Sequence, residues 1–127
     1  MERDVVIVAG FGFRGAVSVQ GLADALDGAG SGQTVSALAT AADKAETPVF
    51  MAFARQMGLP VIGIDAATLS AQEVRTQSVA STAARQTGSL AEAAALAAAG
   101  PGARLIVTRV VSEDRMATCA LAEGEGA

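Results

Sequence analysis

The spacing of apolar positions changes several times along the chain, and each change marks an element. Val5-Val6-Ile7-Val8-Ala9 is an unbroken apolar run that meets Gly10. Such a run fits a strand covered on both faces, as in a parallel sheet. A glycine-rich turn is expected next, at Gly10-Phe11-Gly12-Phe13-Arg14-Gly15. Ala16, Val19, Ala23 and Leu26 then recur at helical spacing, which predicts a helix over 15–27. Residues 28–32 read as a loop, 34–40 as a second strand and 41–46 as a polar loop. Thr47-Pro48 starts a helix, because threonine can cap and proline sits where a missing N–H costs nothing. Phe50, Phe53 and Met57 give that helix an apolar face, and Gly58 ends it. A third strand covers 60–64.

Ser70-Ala71-Gln72-Glu73 fits a capping box opening a short helical turn, and 78–86 looks helical. Ser89-Leu90-Ala91-Glu92 fits a second box, opening an alanine-rich helix that Gly100-Pro101-Gly102 stops. Residues 105–111 and 116–122 form a hairpin around Ser112-Glu113-Asp114-Arg115. The order is βαβαβ, then helices, then the hairpin. It predicts an α/β fold in a single domain: a mostly parallel sheet of about five strands flanked by helices, with a C-terminal β-hairpin. The domain spans 1–122, and 123–127 is a frayed tail.

Composition narrows the function. The mean hydropathy is positive, but a membrane-spanning helix needs about 20 consecutive apolar residues. The longest candidate, 90–99, is too short and holds Glu92. The charged Met1-Glu2-Arg3-Asp4 and the short run after it do not resemble a secretory signal, so a cytoplasmic location and no membrane partner are expected. Cys119 is the one cysteine and lies in an apolar run, which suits a buried structural thiol. The chain has no histidine. That removes Ser-His-Asp and Cys-His catalysis, and with one cysteine leaves no metal site and no cofactor to expect. The net charge is −4, with no basic stripe, so nucleic acid is excluded as a partner.

In open α/β sheets, ligands sit at the carboxyl ends of the strands. Here those ends lead into 10–15, 40–46 and the segment from Asp65 onward. Gly10, Gly12 and Gly15 match G-x-G-x-x-G between a strand and a helix, the pattern of a nucleotide-binding module. That fingerprint wants an acid about 20 residues on, at the end of the second strand. Leu38-Ala39-Thr40 ends that strand instead, and the first acid beyond is Asp43. The other reading is that the glycines merely permit a tight turn and Arg14 is solvated. Lys44 and Glu46 are either a local ion pair or a cation for a ligand carboxylate beside a carboxylate for acid–base work. Thr76 and Ser78 can cap a helix or bind an anion. Ser89 and Glu92 fit the capping box, with a ligand contact as the second reading for Ser89.

In order and spacing these segments resemble the CobE family, which matches the C-terminal domain of CbiG proteins of cobalamin biosynthesis. Gly10-Phe11-Gly12-Phe13-Arg14 is similar to that family's G-x-G-x-R opening. Leu38-Ala39-Thr40-Ala41-Ala42-Asp43-Lys44-Ala45-Glu46, Gly58-Leu59-Pro60, Thr76-Gln77-Ser78 and Gly88-Ser89-Leu90-Ala91-Glu92-Ala93-Ala94-Ala95-Leu96 carry the rest. The resemblance covers nearly the whole chain. It implies a corrinoid or precorrin intermediate as ligand, with other cobalamin-pathway enzymes as partners. CbiG-type proteins hydrolyse a lactone on a cobalt-precorrin and release acetaldehyde, and they carry additional N-terminal regions. A stand-alone domain is more similar to the CobE proteins of the aerobic pathway. The expected function is therefore binding of a corrin intermediate as a carrier or accessory factor, with lactone hydrolysis as the alternative.

On this resemblance the ligand-binding residues would be Gly10, Gly12, Phe13, Arg14, Gly15, Thr40, Lys44, Glu46, Thr76, Ser78 and Ser89. In a hydrolase, Lys44 would stabilise the oxyanion and Glu46 would be the general base. Corrin precursors carry several acetate and propionate groups. An acidic chain can hold such an anion only through local positive charge, which Arg14, Lys44 and helix amino ends at one sheet edge would supply.

Overall fold

The computed structural model describes residues 6–14, 16–30, 34–71, 88–100 and 102–125. Strand β1 (Val6–Phe13) leads to helix α1 (Val19–Gly30), strand β2 (Ala37–Ala41) and a one-turn helix α2 (Ala42–Ala45). Helix α3 (Pro48–Met57), strand β3 (Val61–Ile64) and helix α4 (Ala66–Ala71) follow. The chain then runs through helix α5 (Gly88–Ala99) and strands β4 (Arg104–Val111) and β5 (Ala117–Gly124). The expected helix over 78–86 lies outside the described residues.

The strands lie in the order β3-β2-β1-β5-β4. β1 pairs with β2, and β2 with β3, in parallel. β5 pairs antiparallel with both β1 and β4. The five strands and the C-terminal hairpin are as expected, but the sheet is mixed rather than mostly parallel. The cause is which hairpin strand enters the sheet. β5 is built of small buried residues from Ala117 to Ala122, so it fits beside β1 in the middle, while the more exposed β4 takes the edge. β5 also continues through Glu123 and Gly124. There Arg104 of β4 forms an ion pair with Glu123, its Nη2 2.6 Å from Oε2.

The two faces of the sheet are sealed differently. α1 and α3 cover one face, where Phe11, Phe13, Leu22, Leu26, Phe50, Phe53, Cys119 and Leu121 form the larger core. Its four phenylalanines meet at centroid distances from 5.4 Å (Phe11–Phe53 and the stacked Phe13–Phe50) to 6.0 Å (Phe50–Phe53). Such pairs add about 0.5–1.5 kcal/mol each beyond their burial. α5 covers the other face and contributes only alanines to the buried set that meets Val8, Ala37, Ala39, Ile64 and Ala122. Here Gly10 lies directly under α5. A Cβ on Gly10 would run into the carbonyl oxygen of Ala91 and stand 2.5 Å from the nitrogen of Ala95. Gly124 lies the same way under Ala99.

Several element ends differ from the sequence pattern because caps decide them. α1 starts at Val19 rather than near Gly15, because the Ser18 hydroxyl oxygen accepts the Gly21 N–H at 3.0 Å. α4 starts after Asp65, whose carboxylate accepts the Thr68 N–H at 2.7 Å; Ser70 therefore sits inside a helix, not at its start. Thr47 precedes Pro48 as expected but does not cap α3: its hydroxyl donates back to Lys44 O at 2.8 Å and closes α2. Gly58 ends α3 in the left-handed region at φ 72°. α5 begins at Gly88, so Ser89 lies within its first turn rather than before it, and the buried carboxylate of Glu92 accepts the Arg109 N–H of β4 at 3.3 Å. Among the described residues no helix is long and apolar enough to cross a membrane.

Candidate functional site

The carboxyl edge of the sheet is shaped by one mismatch in strand length. β1 stays paired with β5 as far as Phe13, but its register with β2 ends at Gly10/Ala39. Past that point, main-chain carbonyls of β1 have lost their ladder partners and need other donors. Side chains supply them. The Thr40 hydroxyl donates to Phe11 O at 2.8 Å, and Lys44 Nζ donates to Phe13 O at 3.0 Å. From the other side the Thr118 hydroxyl reaches Gly12 O at 3.3 Å. Three successive carbonyls at the end of β1 are thus held by β2, α2 and β5. Thr40 and Thr118 are buried.

Lys44 is half-buried, with Nζ 4.9 Å from the Phe13 ring centroid. It is a strut between α2 and β1, held by a charge-assisted hydrogen bond and a cation–π contact. The local ion pair with Glu46 does not form; Glu46 is exposed at the end of α2. The ammonium and the carboxylate therefore do not make a joined acid–base unit.

Arg14 follows β1 directly and its side chain is exposed. Its main chain is fixed: the N–H donates to Met116 O at 2.9 Å, and the C=O accepts the Val17 N–H at 3.0 Å. This ties the end of β1 to the β4–β5 turn, which is itself tightly bonded. Ser112 N–H donates to Ala117 O and Arg115 N–H to Ser112 O, each at 2.9 Å. Asp114 accepts the Ser112 hydroxyl and the Met116 N–H, and these bonds hold its carboxyl below the ordinary carboxylate range. The Glu113 N–H donates to Asp24 of α1 at 2.8 Å.

The residues of the G-x-G-x-x-G pattern fall elsewhere than expected. Gly10 and Gly12 are in β1, and three residues separate Gly15 from the start of α1. The phosphate-cradling turn of a nucleotide-binding module is therefore not formed, and the space at Gly10 is filled by the α5 main chain. Phe13 is a core residue stacked on Phe50. Gly15, Thr76 and Ser78 lie outside the described residues. Ser89 is in the first turn of α5. α5 passes Gly10 near Ala91 and Ala95 and reaches the amino end of β1 at Ala99, so its own amino end points to the carboxyl edge. Two open grooves of about 300 and 310 Å³ lie between α1 and α3, around Leu26, Asp27 and Met57. Asp24 and Asp27 line them, so they do not suit a carboxylate ligand.

Sequence reasoning missed Thr118 and Arg115. Thr118 reads as one more small residue in an apolar strand. Arg115 reads as a turn residue, and its left-handed main chain at φ 62° is visible only in three dimensions.

Fold and edge together define a small three-layer α/β domain with its candidate site at the carboxyl end of β1, where exposed and half-buried cations meet. Residues 7–122 match the family described as Cobalamin synthesis G C-terminus, and the chain belongs to that family. It is thus a protein of cobalamin biosynthesis. The solved structure of CobE, a protein from the cobalamin (vitamin B12) biosynthetic pathway, shares 30% identity with a TM-score of 0.81, over 97% of this chain and 93% of that chain. Cobalamin biosynthesis protein chiG from Agrobacterium tumefaciens str. C58 shares 35% identity with a TM-score of 0.72, over 92% and 97% of the two chains. A cobalamin biosynthesis protein G homolog from Sulfolobus solfataricus shares the fold with a TM-score of 0.74 at 16% identity. The chain spans 38% of that protein's length. No curated protein matches significantly.

Proposed function

We propose that this protein binds a corrin-ring precursor at the carboxyl edge of β1 and acts as a carrier or accessory factor. The observation that carries the reading is the end of β1. There the main chain is locked by Thr40, Lys44 and Thr118, and the guanidinium of Arg14 projects from it into solvent. Both faces of the sheet are closed by helices, so a broad ring meets the protein at this edge. Membership of a cobalamin-biosynthesis family supports a corrin precursor as the ligand, and local cations on an acidic chain fit its carboxylates. Binding is favoured over hydrolysis because Lys44 is engaged with Phe13 O and Glu46 stands exposed and apart from it.

Titration with corrin-pathway intermediates, followed by visible absorbance and gel filtration, tests this directly. The chain has no Trp or Tyr, so the ligand dominates the spectrum. The expected result is a saturable shift with co-elution and an unchanged ligand mass. Release of acetaldehyde from a lactone substrate would make the protein a hydrolase instead. No shift with any intermediate would overturn the reading.

A further inference from the structure

We infer that Arg115, in the β4–β5 turn, is a second anion-binding residue beside Arg14, and that the two guanidinium groups take carboxylates of one polycarboxylate ligand. The inference rests on the binding reading above and extends it to a segment that the family-like motifs do not include.

The main chain of Arg115 lies at φ 62°, a region that residues with a Cβ avoid and glycine enters freely. Glycine would therefore serve the turn better. The arginine side chain returns nothing to the fold. It is exposed, and among the described residues it makes no ion pair and no hydrogen bond. A strained residue with no local use is the pattern expected where a side chain is kept for a ligand.

Its position agrees. The residue after it, Met116, accepts the Arg14 N–H, so both arginines rise from one main-chain junction at the carboxyl edge. Neither is neutralised in place, because Arg14 also lacks an ion pair among the described residues. Asp114, next in sequence, is occupied by the Ser112 hydroxyl and the Met116 N–H. Its carboxylate lies against α1, where a Cβ on Gly21 would come within 2.8 Å of Oδ2. Glu113 remains exposed in the turn and opposes an anion, so the two arginines must outweigh it. Guanidinium groups suit the task, since each offers a planar pair of donors that matches a carboxylate.

Substituting the residue separates this role from a structural one. Arg115→Gly should leave the melting temperature unchanged or raise it, because the left-handed strain is relieved. The same variant should bind a corrin with free carboxylates (cobyrinic acid) about tenfold more weakly, the loss of one charged contact. Its affinity should also depend less on salt. Binding of the amidated ring (cobinamide) should be no weaker in the variant than in the wild type. Arg115→Lys should recover part of the affinity and the salt dependence. If the wild type binds cobyrinic acid and Arg115→Gly binds it equally well, the inference fails and the proposed function stands. If the wild type binds no corrin, both fail. A melting temperature lowered by several degrees in Arg115→Gly would assign the arginine to the fold and overturn the inference.

Discussion

Gly10→Ala should destabilise the protein by about 3 kcal/mol, at the upper end of what overpacking a core costs. The figure follows from what the added methyl group meets. Its carbon would stand 2.5 Å from Ala95 N and 2.9 Å from Ala95 Cβ, and closer still to Ala91 O. Ordinary contacts lie at about 3.4–4 Å. Two of these three atoms belong to the α5 main chain, which has no rotamer to change. Relief must come from moving the helix off the sheet by roughly 1 Å, and a gap of that size forfeits about a quarter to a half of each dispersion contact. The alanines of α5 have no longer side chain that could refill the gap.

Urea unfolding followed by circular dichroism measures the loss, since no Trp or Tyr is present to report by fluorescence. At about 4 °C per kcal/mol for a chain of this size, the melting temperature falls by about 12 °C. Adding Ala95→Gly should restore little, because it removes the side-chain contact and leaves the two main-chain contacts. Gly30→Ala is the control. Its nearest neighbour would be Leu26 Cδ1 at an ordinary 3.7 Å, and the change should stay within about 0.5 kcal/mol. A loss below about 1 kcal/mol for Gly10→Ala, or full rescue by Ala95→Gly, would refute the assignment of Gly10 to close helix–sheet packing.

Three further outcomes follow from the same geometry. Lys44→Met should lower ligand-free stability by about 1–2 kcal/mol, because Phe13 O loses its donor; an unchanged urea midpoint would show that Lys44 is not a strut. Asp114 has a carboxyl held below its ordinary value in the folded state, so its contribution is present at neutral pH and lost as pH falls through that lowered value. Asp114→Asn should therefore flatten the acid side of the stability profile below about pH 4, and an unaltered profile would count against the Ser112 and Met116 bonds. Burial pushes the Cys119 thiol up, far from its reactive range. A thiol reagent at pH 8 should modify Cys119 only on unfolding, and rapid labelling of the native protein would contradict its place in the core.

The sequence pattern located most elements because apolar spacing is set by which face is covered, and both faces here are covered by helices. It misplaced the end of β1 for the same reason that it suggested a nucleotide turn. A glycine read alone signals a turn, whereas Gly10 is demanded by the α5 main chain, a contact 81 positions away at Ala91. The mixed sheet was hidden because a hairpin pattern does not say which of its strands enters the middle. The capping-box pattern at Ser89 misplaced the helix start by a residue or more, because α5 already runs at Gly88, and it gave no sign that Glu92 also reaches Arg109 of β4. Residue type and loop position placed Arg14, Lys44 and Thr40 at the carboxyl edge of the sheet, where the structure also has them. Spacing could not tell which would be spent on main-chain carbonyls, since that depends on β2 losing register with β1 at Gly10.

That division of labour changes how binding data at this edge must be read. Gly10, Phe13, Thr40 and Lys44 all sit in the family-like segments, and all four build the frame. Replacing any of them weakens the end of β1, so a loss of binding on its own would not identify a ligand contact. Arg14 and Arg115 differ, because their side chains are exposed and only their main chains are bonded. A variant series that records binding alone would rank the frame and the contacts together. Recording stability in parallel separates them: frame residues lower both quantities, while contact residues lower affinity at constant or higher stability. On the proposed binding reading, substitutions at Arg14 and Arg115, at the junction of β1 with the β4–β5 turn, should lower affinity without lowering stability.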